Sequence, residues 1–281
     1  MSTAEVLNVT NSEYHAATDR VSHSAKECFR RSREAYRAQY IDKTIPWPEP
    51  TEAMLLGTAI HAALLEPEWF ATNYVASAKF DRRTNAGKAA AAEYAEQNAG
   101  KIIMDIEAWL TVNAVREAAM ANRIVRTILE ETPPEMREHT LAWDCPETGV
   151  PCKCRRDINH PNMQADLKSL AIPMSASAVA RRVAEFGYQR QGAFYRVGEK
   201  MFTGDDKPFV FIFLGTKPPY SVGVFDIDAD DLEFAHKQNM ETLAEMERCR
   251  AYPLLYTPAY ATEIQTLCLP KWTRYEDDYG F

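Results

Sequence analysis

The chain has 281 residues, of which 46% are hydrophobic and 11% aromatic, and its formal net charge is −8. This composition excludes a disordered chain and supplies enough apolar side chain for a sizeable core. Because no stretch approaches about 18 consecutive apolar residues and the N-terminus lacks a basic-then-apolar segment, we expect an intracellular, cytoplasmic protein with no membrane partner. Six scattered cysteines favour reduced thiols.

The first predicted elements are helices. Ser24 and Glu27 form an S-x-x-E capping box at the start of a helix over SHSAKECFRRSREAYRAQYI. Thr51 can cap the next helix, EAMLLGTAIHAALLEP, in which His61 is the interior polar exception. GKAAAAEYAEQN and DIEAWLTVNAVREAAMANRIVRTILEE predict two more helices, because their apolar residues recur at a spacing near 3.6.

Beyond residue 135 the apolar period changes to two, which is typical of strands. EHTLAWDC, VPCKCRRDIN and MQADLKSL predict three successive strands, and SASAVARRVAEFGYQRQGAFYRVG predicts a helix. PFVFIFLGT and YSVGVFDID predict two more strands before a late helix, ADDLEFAHKQNMETLAEMERCR. We find no repeat and no linker, so the prediction is one α/β domain with a helical N-terminal portion. Its parts are an N-terminal segment (1–23), a mainly helical portion (24–135), an α/β core (136–250) and a C-terminal segment (251–281).

The charge is unevenly distributed. The negative total argues against a polyanionic partner, yet residues 152–200 contain nine basic and four acidic residues, a local net charge of +5. Residues 225–281 contain twelve acidic and five basic residues and end in YEDDYGF. We expect this acidic tail to be solvated or to contact another protein.

The predicted strands VPCKCRRDIN and MQADLKSL carry charged residues that can face each other. If they pair as an antiparallel hairpin, the numbers of facing residues sum to about 323, so Asp157 faces Asp166 and Arg155 faces Lys168. Like charges directly opposed across a sheet are destabilising. A divalent cation between the carboxylates and a phosphate beside the cations would relieve both repulsions. The alternative is a partly exposed hairpin with surface charges.

These residue types suit the cleavage of a phosphodiester. Paired carboxylates are ligands for Mg²⁺ or Mn²⁺, and the Leu167 carbonyl could add a backbone oxygen. Lys168 lies on the same strand face as Asp166, where its ammonium could orient an attacking water or share charge developing on the phosphate.

The helix that follows carries a polar and aromatic stripe. Tyr188, Gln191 and Tyr195 lie at i, i+3 and i+7, and Arg181 continues this face seven residues earlier. We expect the stripe to cross the site and to contact DNA, although an ordinary helix surface with half-buried tyrosines would give the same pattern. His61 is either a core histidine or a metal ligand.

Together the motifs resemble the PD-(D/E)xK nuclease superfamily, in particular its RecB-like and RecE-like branch. The segments GTAIHAALLEPEWF, AGKAAAAEYAEQNAGK and ADLKSL…FGYQRQGAFYRVG resemble phage and prophage RecE-type exonucleases, over about residues 24–245. The motifs that carry the resemblance are Gly57-x3-His61, Glu138, Asp157, Asp166-Leu167-Lys168 and Gln191-x3-Tyr195.

The resemblance implies a restriction-endonuclease-like core, a central mixed β-sheet flanked by helices, and it implies roles for individual residues. The implied metal ligands are His61, Asp157, Asp166 and the Leu167 carbonyl. The implied catalytic residues are Asp157, Asp166, Lys168 and Gln191. The implied DNA contacts are Tyr188, Gln191 and Tyr195, and Glu138 would be an acidic residue of open role. Two departures are Arg156 where many relatives have proline and Asp166 where many have glutamate.

The activity implied is that of a Mg²⁺-dependent exonuclease, in which Mn²⁺ could substitute. It would degrade one strand of double-stranded DNA ends, 5′ to 3′, for recombination in the cytoplasm of a bacterial host of a phage or prophage. A homo-oligomeric ring and a single-strand annealing protein are the expected partners. The chain has no GxxxxGK[ST] loop for ATP, and its cysteine spacing predicts neither an iron–sulfur cluster nor zinc. The alternatives are an endonuclease or single-strand nuclease on the same fold, and a catalytically silent DNA-binding scaffold.

Overall fold

The computed structural model describes residues 4–77, 79–81 and 83–269. Its strands are β1 (Glu5–Leu7), β2 (Tyr74–Ala76), β3 (Ile102–Met104), β4 (Arg137–Asp144), β5 (Pro151–His160), β6 (Met163–Leu170), β7 (Phe209–Gly215) and β8 (Val222–Asp226). Its α-helices are α1 (Asn11–Ala16), α2 (His23–Arg31), α3 (Arg33–Tyr36), α4 (Glu52–Leu65), α5 (Pro67–Asn73), α6 (Asn85–Gln97), α7 (Ile106–Ala121), α8 (Arg123–Glu131), α9 (Ala176–Phe186), α10 (Tyr188–Thr203) and α11 (Ala229–Ala251). A π-helical turn, Arg37–Ile41, follows α3.

Within these ranges the main sheet has six strands in the order β1-β4-β5-β6-β7-β8. β6 and β7 are parallel, and the other neighbouring pairs are antiparallel. β2 and β3 form a separate parallel pair. The predicted mixed sheet is therefore confirmed, and each strand predicted from the period of two is present.

Helices cover both faces of this sheet. Along β7, Phe211 and Phe213 join one buried cluster, whereas Ile212 and Leu214 join the other, as side chains of a strand point alternately to opposite faces. The first cluster packs against α2, α10 and α11, and the second against α4, α7 and α8. The predicted arrangement of a central sheet flanked by helices is confirmed.

Several predicted helix boundaries are wrong. The first helix is divided because Ser32 ends α2 and caps α3, accepting from the Ala35 N–H. Asn122 likewise separates α7 from α8. The long helix after β6 is divided at Gly187, which has a φ of 71°. Ser22 caps α2 in place of Ser24, while the cap at Thr51 is confirmed.

The N-terminal segment contains two elements that the sequence pattern does not predict. β1 pairs with β4, and α1 begins with a capping box formed by Thr10 and Glu13. The buried Lys153 of β5 donates to the carbonyl oxygens of Tyr14 and Ala17 at the end of α1. This strand therefore holds α1 against the sheet.

In the described ranges, no helix combines the length and the apolar character that crossing a bilayer requires. The acidic tail, residues 275–281, lies outside the described residues, so its expected role stays a prediction.

Candidate functional site

A cleft of about 1210 Å³ lies between α1, α2, α4 and α10, with β5 and β6 along its floor. Of the residues singled out from the sequence, it is lined by His61, Glu138, Asp157, Leu167, Lys168, Tyr188, Gln191 and Tyr195. Asp166 is buried directly behind them, with 2% of its surface exposed. Arg181 is exposed on α9 and is absent from the cleft lining; its predicted place on a continuous stripe is wrong, because α9 and α10 are separate helices.

The β5–β6 hairpin has the predicted register. Ile158 pairs with Ala165 and His160 with Met163, so the numbers sum to 323 in both pairs. The backbone pairing ends at Ile158, and beyond it the Leu167 N–H donates to Asp157 Oδ2 at 2.7 Å. The carboxylate of Asp157 thus replaces a strand carbonyl as acceptor, which fixes it at the point where the two strands separate.

The predicted pairing of two cations, Arg155 with Lys168, is wrong. Arg155 turns to the neighbouring strand, where its Nε donates to Glu138 Oε2 at 2.7 Å. Lys168 Nζ instead lies 2.5 Å from Asp166 Oδ2. Each cation is therefore neutralised by a carboxylate, whereas Asp157 has no lysine or arginine ion-pair partner among the described residues.

The strands are distorted at this point. Cys154 and Ile158 would share one face of a regular strand, yet Cys154 belongs to the first buried cluster and Ile158 to the second. On β4, Glu138 has a φ of 50°, an unfavourable backbone conformation for a residue with a side chain. As a result one ligand atom from each of His61, Glu138 and Asp157 lies within 4.8 Å of the others.

His61 is held as a neutral imidazole. Burial lowers its pKa, although the nearby Asp166 and Glu138 carboxylates act in the opposite direction. Its Nε2 lies 3.0 Å from the Leu167 carbonyl oxygen and its Nδ1 lies 3.5 Å from Asp157 Oδ2. With Nε2–H donating to that carbonyl, the Nδ1 lone pair faces the carboxylates, as in a histidine oriented to bind metal. The Leu167 carbonyl therefore contacts His61, which would orient this ligand.

The donor set fits a divalent cation. One imidazole nitrogen and two carboxylates are ligand types that Mn²⁺ and Mg²⁺ accept. Burial, followed by the negative charges of Asp166 and Glu138, raises the pKa of Asp157 well above its ordinary value. A cation between these side chains would remove that penalty.

A chain of contacts orients Lys168 beside this cluster. The Gln191 amide donates from Nε2 to Asp166 Oδ1 at 2.6 Å, and the other oxygen of Asp166 holds Lys168. Burial alone would lower the pKa of Lys168, but the carboxylates of Asp166 and Asp157 raise it, so the ammonium stays charged. Its Nζ lies 4.8 Å from the centre of the Tyr188 ring. Gln191 thus contacts Asp166, and Tyr195 is buried with 7% exposure at the base of the cleft.

Two ion pairs that support the cleft have no signal in the sequence. Glu27 of α2 accepts two bonds from Arg190 of α10, at 2.8 and 2.6 Å, across 163 positions. Arg156, directly before Asp157 on β5, forms a fully buried pair with Glu199 of α10. Such partners lie too far apart in the chain for spacing to reveal them.

Comparisons with known proteins identify the family and the fold of this chain. Residues 22–267 match the model of a family described as a PDDEXK-like domain of unknown function, DUF3799. A search of curated proteins finds no match. A crystal structure described as a "putative exonuclease" from Eubacterium rectale aligns over 96% of this chain and 98% of that chain, with a TM-score of 0.64 and 14% sequence identity. This likeness shows a common fold. Because the family model spans most of the sequence, the chain belongs to the DUF3799 family of PDDEXK-like domains, within the PD-(D/E)xK nuclease superfamily.

Proposed function

We propose that this protein is a divalent-metal-dependent deoxyribonuclease, an exonuclease that acts 5′ to 3′ on double-stranded DNA ends with Mg²⁺. The observation that carries the proposal is the convergence of His61, Glu138 and Asp157 beside the charged Lys168 in one cleft. A cation held by three ligand side chains, together with a fixed ammonium, can stabilise the charge that develops during hydrolysis of a phosphodiester.

The chain's own residues divide this work. His61, Glu138 and Asp157 would hold the cation, and Asp166 orients Lys168. When bound, the cation would supply charge stabilisation to the phosphate and lower the pKa of a coordinated water. Lys168 offers a positive charge and hydrogen-bond donors on the same side of the cleft, where a scissile phosphate would place its oxygens.

The preference for ends rests on the resemblance to RecE-type exonucleases and on the fold shared with a structure described as a putative exonuclease. On the same basis we propose a homo-oligomeric ring, a single-strand annealing protein as partner, and a role in recombination in the cytoplasm of a bacterial host of a phage or prophage.

Linear duplex DNA labelled separately at each 5′ end and internally, beside a closed circle of the same sequence, tests the proposal. With Mg²⁺ we expect release of the 5′-end label before the internal label and an intact circle, and with EDTA no release. Cleavage of the circle would contradict the proposed exonuclease activity and indicate an endonuclease. If neither Mg²⁺ nor Mn²⁺ supports cleavage, the proposal that this protein is a nuclease is wrong.

A further inference from the structure

A second groove lies beside the cleft. Its volume is about 470 Å³, and it lies between the junction of α2 with α3 and the segment that follows α11. Three arginines and a single glutamate line it, namely Arg30, Arg31, Arg33 and Glu34. Arg31 lines both the groove and the cleft, so the two cavities border on this residue.

The positive charge at this junction is only partly neutralised. Arg33 pairs with Glu245 at 2.7 Å, whereas Arg30 donates to the neutral hydroxyl of Thr242 at 3.0 Å. Arg31 is exposed and forms no ion pair with any carboxylate in the described part of the chain. In a protein of net charge −8, exposed cations in a groove beside the cleft favour an anionic ligand.

The outer wall of the groove presents an aromatic ring. Tyr260 lines it with 68% of its surface exposed, and Leu254 beside it is 86% exposed. Proteins that bind single-stranded nucleic acid combine a positively charged groove with exposed aromatic rings, because the cations contact phosphates and every base offers a face for stacking. In a duplex the base faces are already stacked on one another, so an exposed tyrosine ring would contribute less to the binding of a duplex than to that of a single strand.

We propose that this groove binds single-stranded DNA whose continuation occupies the cleft. Arg31 contacts the phosphate at the junction, and Tyr260 stacks on a base further along the strand. The assignment rests on the proposed function, since it takes DNA to be the ligand of the cleft, and it adds the path by which a single strand extends from the site.

Fluorescence anisotropy of labelled single-stranded oligonucleotides with EDTA tests the groove without cleavage. Two lengths are compared, about 4 and about 16 nucleotides. For the longer one, Tyr260→Ala should weaken affinity about fivefold or more, the effect of losing one stacked base. Arg31→Gln should reduce the slope of log affinity against log salt concentration by about 0.7, the value for one phosphate contact on a single strand. Tyr260→Ala should leave the affinity for the shorter oligonucleotide unchanged.

Matched substitutions outside the groove serve as controls. Tyr252 is also 68% exposed but does not line the groove, and Arg116 is exposed on α7 and lines neither cavity. Tyr252→Ala and Arg116→Gln should bind like the wild-type protein, and all variants should melt within a degree or two of it. If Tyr260→Ala and the wild type bind the longer strand with equal affinity, the proposal that the groove binds single-stranded DNA is wrong. The proposed nuclease activity is not affected by that result. Failure of the wild-type protein to bind the longer strand would likewise overturn the groove, whereas the nuclease is tested separately by cleavage of linear duplex DNA with Mg²⁺.

Discussion

Asp157 concentrates the electrostatic cost of the site in one residue. It is 8% exposed, accepts the Leu167 N–H, and faces the negative charges of Asp166 and Glu138. In the unfolded chain its carboxyl ionises near 3.8, whereas burial and those charges raise its pKa in the folded protein. The folded state therefore binds a proton that the unfolded state has released, and stability falls as the pH rises from 3.8 through the folded pKa.

Replacing Asp157 by Asn should stabilise the metal-free protein at pH 7. The amide keeps an oxygen for the Leu167 N–H but removes the buried charge, so we expect a higher melting temperature than the wild type. Near pH 3 the difference should vanish, because the wild-type carboxyl is then protonated in both states. Calorimetric melting at both pH values with EDTA checks this; a lower melting temperature for the variant at pH 7 would contradict the charge repulsion.

At the residue scale, the sequence predicts part of this site. Asp166 and Lys168 stand two positions apart and so share a strand face, and the hairpin turn set the register that brings Asp157 beside them. The partner of Arg155 was not predictable from the sequence, because a central strand has a neighbour on each side. Arg155 pairs with Glu138 on β4 and not with a residue of β6. The positive φ of Glu138 depends on the packed sheet and has no local sequence signal.

At the scale of elements, the break between α9 and α10 positions the residues of the cleft. Gly187 has a φ of 71°, and a Cβ there would lie 2.2 Å from Arg190 Nη2 and 3.0 Å from Glu27 Oε2. The glycine thus allows α10 to begin beside the ion pair that joins it to α2. The Gly in this segment could indicate a helix end from the sequence alone, whereas the apolar spacing on either side favours a continuous helix, and only the packing of Glu27 against Arg190 decides between them.

Gly187→Ala should therefore lower both stability and activity. The left-handed backbone alone costs a residue with a side chain about 1–2 kcal/mol, and the Cβ would in addition displace Arg190. Gly204, at the other end of α10, is the matched control, because its φ is 83° and no atom lies within 4 Å of an added Cβ. Chemical denaturation and cleavage rates of both variants check this. If Gly204→Ala loses as much activity as Gly187→Ala, the junction does not position the cleft.

At the scale of the whole molecule, the sheet gathers residues that are far apart in the chain. α4 supplies His61, β4 supplies Glu138, β5 and β6 supply the aspartates and Lys168, and α10 supplies Gln191. The long periodic strands and helices follow from the sequence because their patterns extend over several turns or pairs. The short β1 and α1 do not, since three and six residues are too few to show a period, and pairing with β4 creates β1.

The central claim is that the cluster beside Lys168 cleaves phosphodiesters with a divalent metal. The most direct test is the initial rate of nucleotide release from linear duplex DNA with Mg²⁺, for the wild type and for Lys168→Gln, which keeps a hydrogen-bond donor for Asp166. Lys88→Gln, at an exposed position that lines neither cavity, is the control. We predict a loss of about 100-fold or more for Lys168→Gln and none for the control. Equal rates for the wild type and Lys168→Gln would contradict the account.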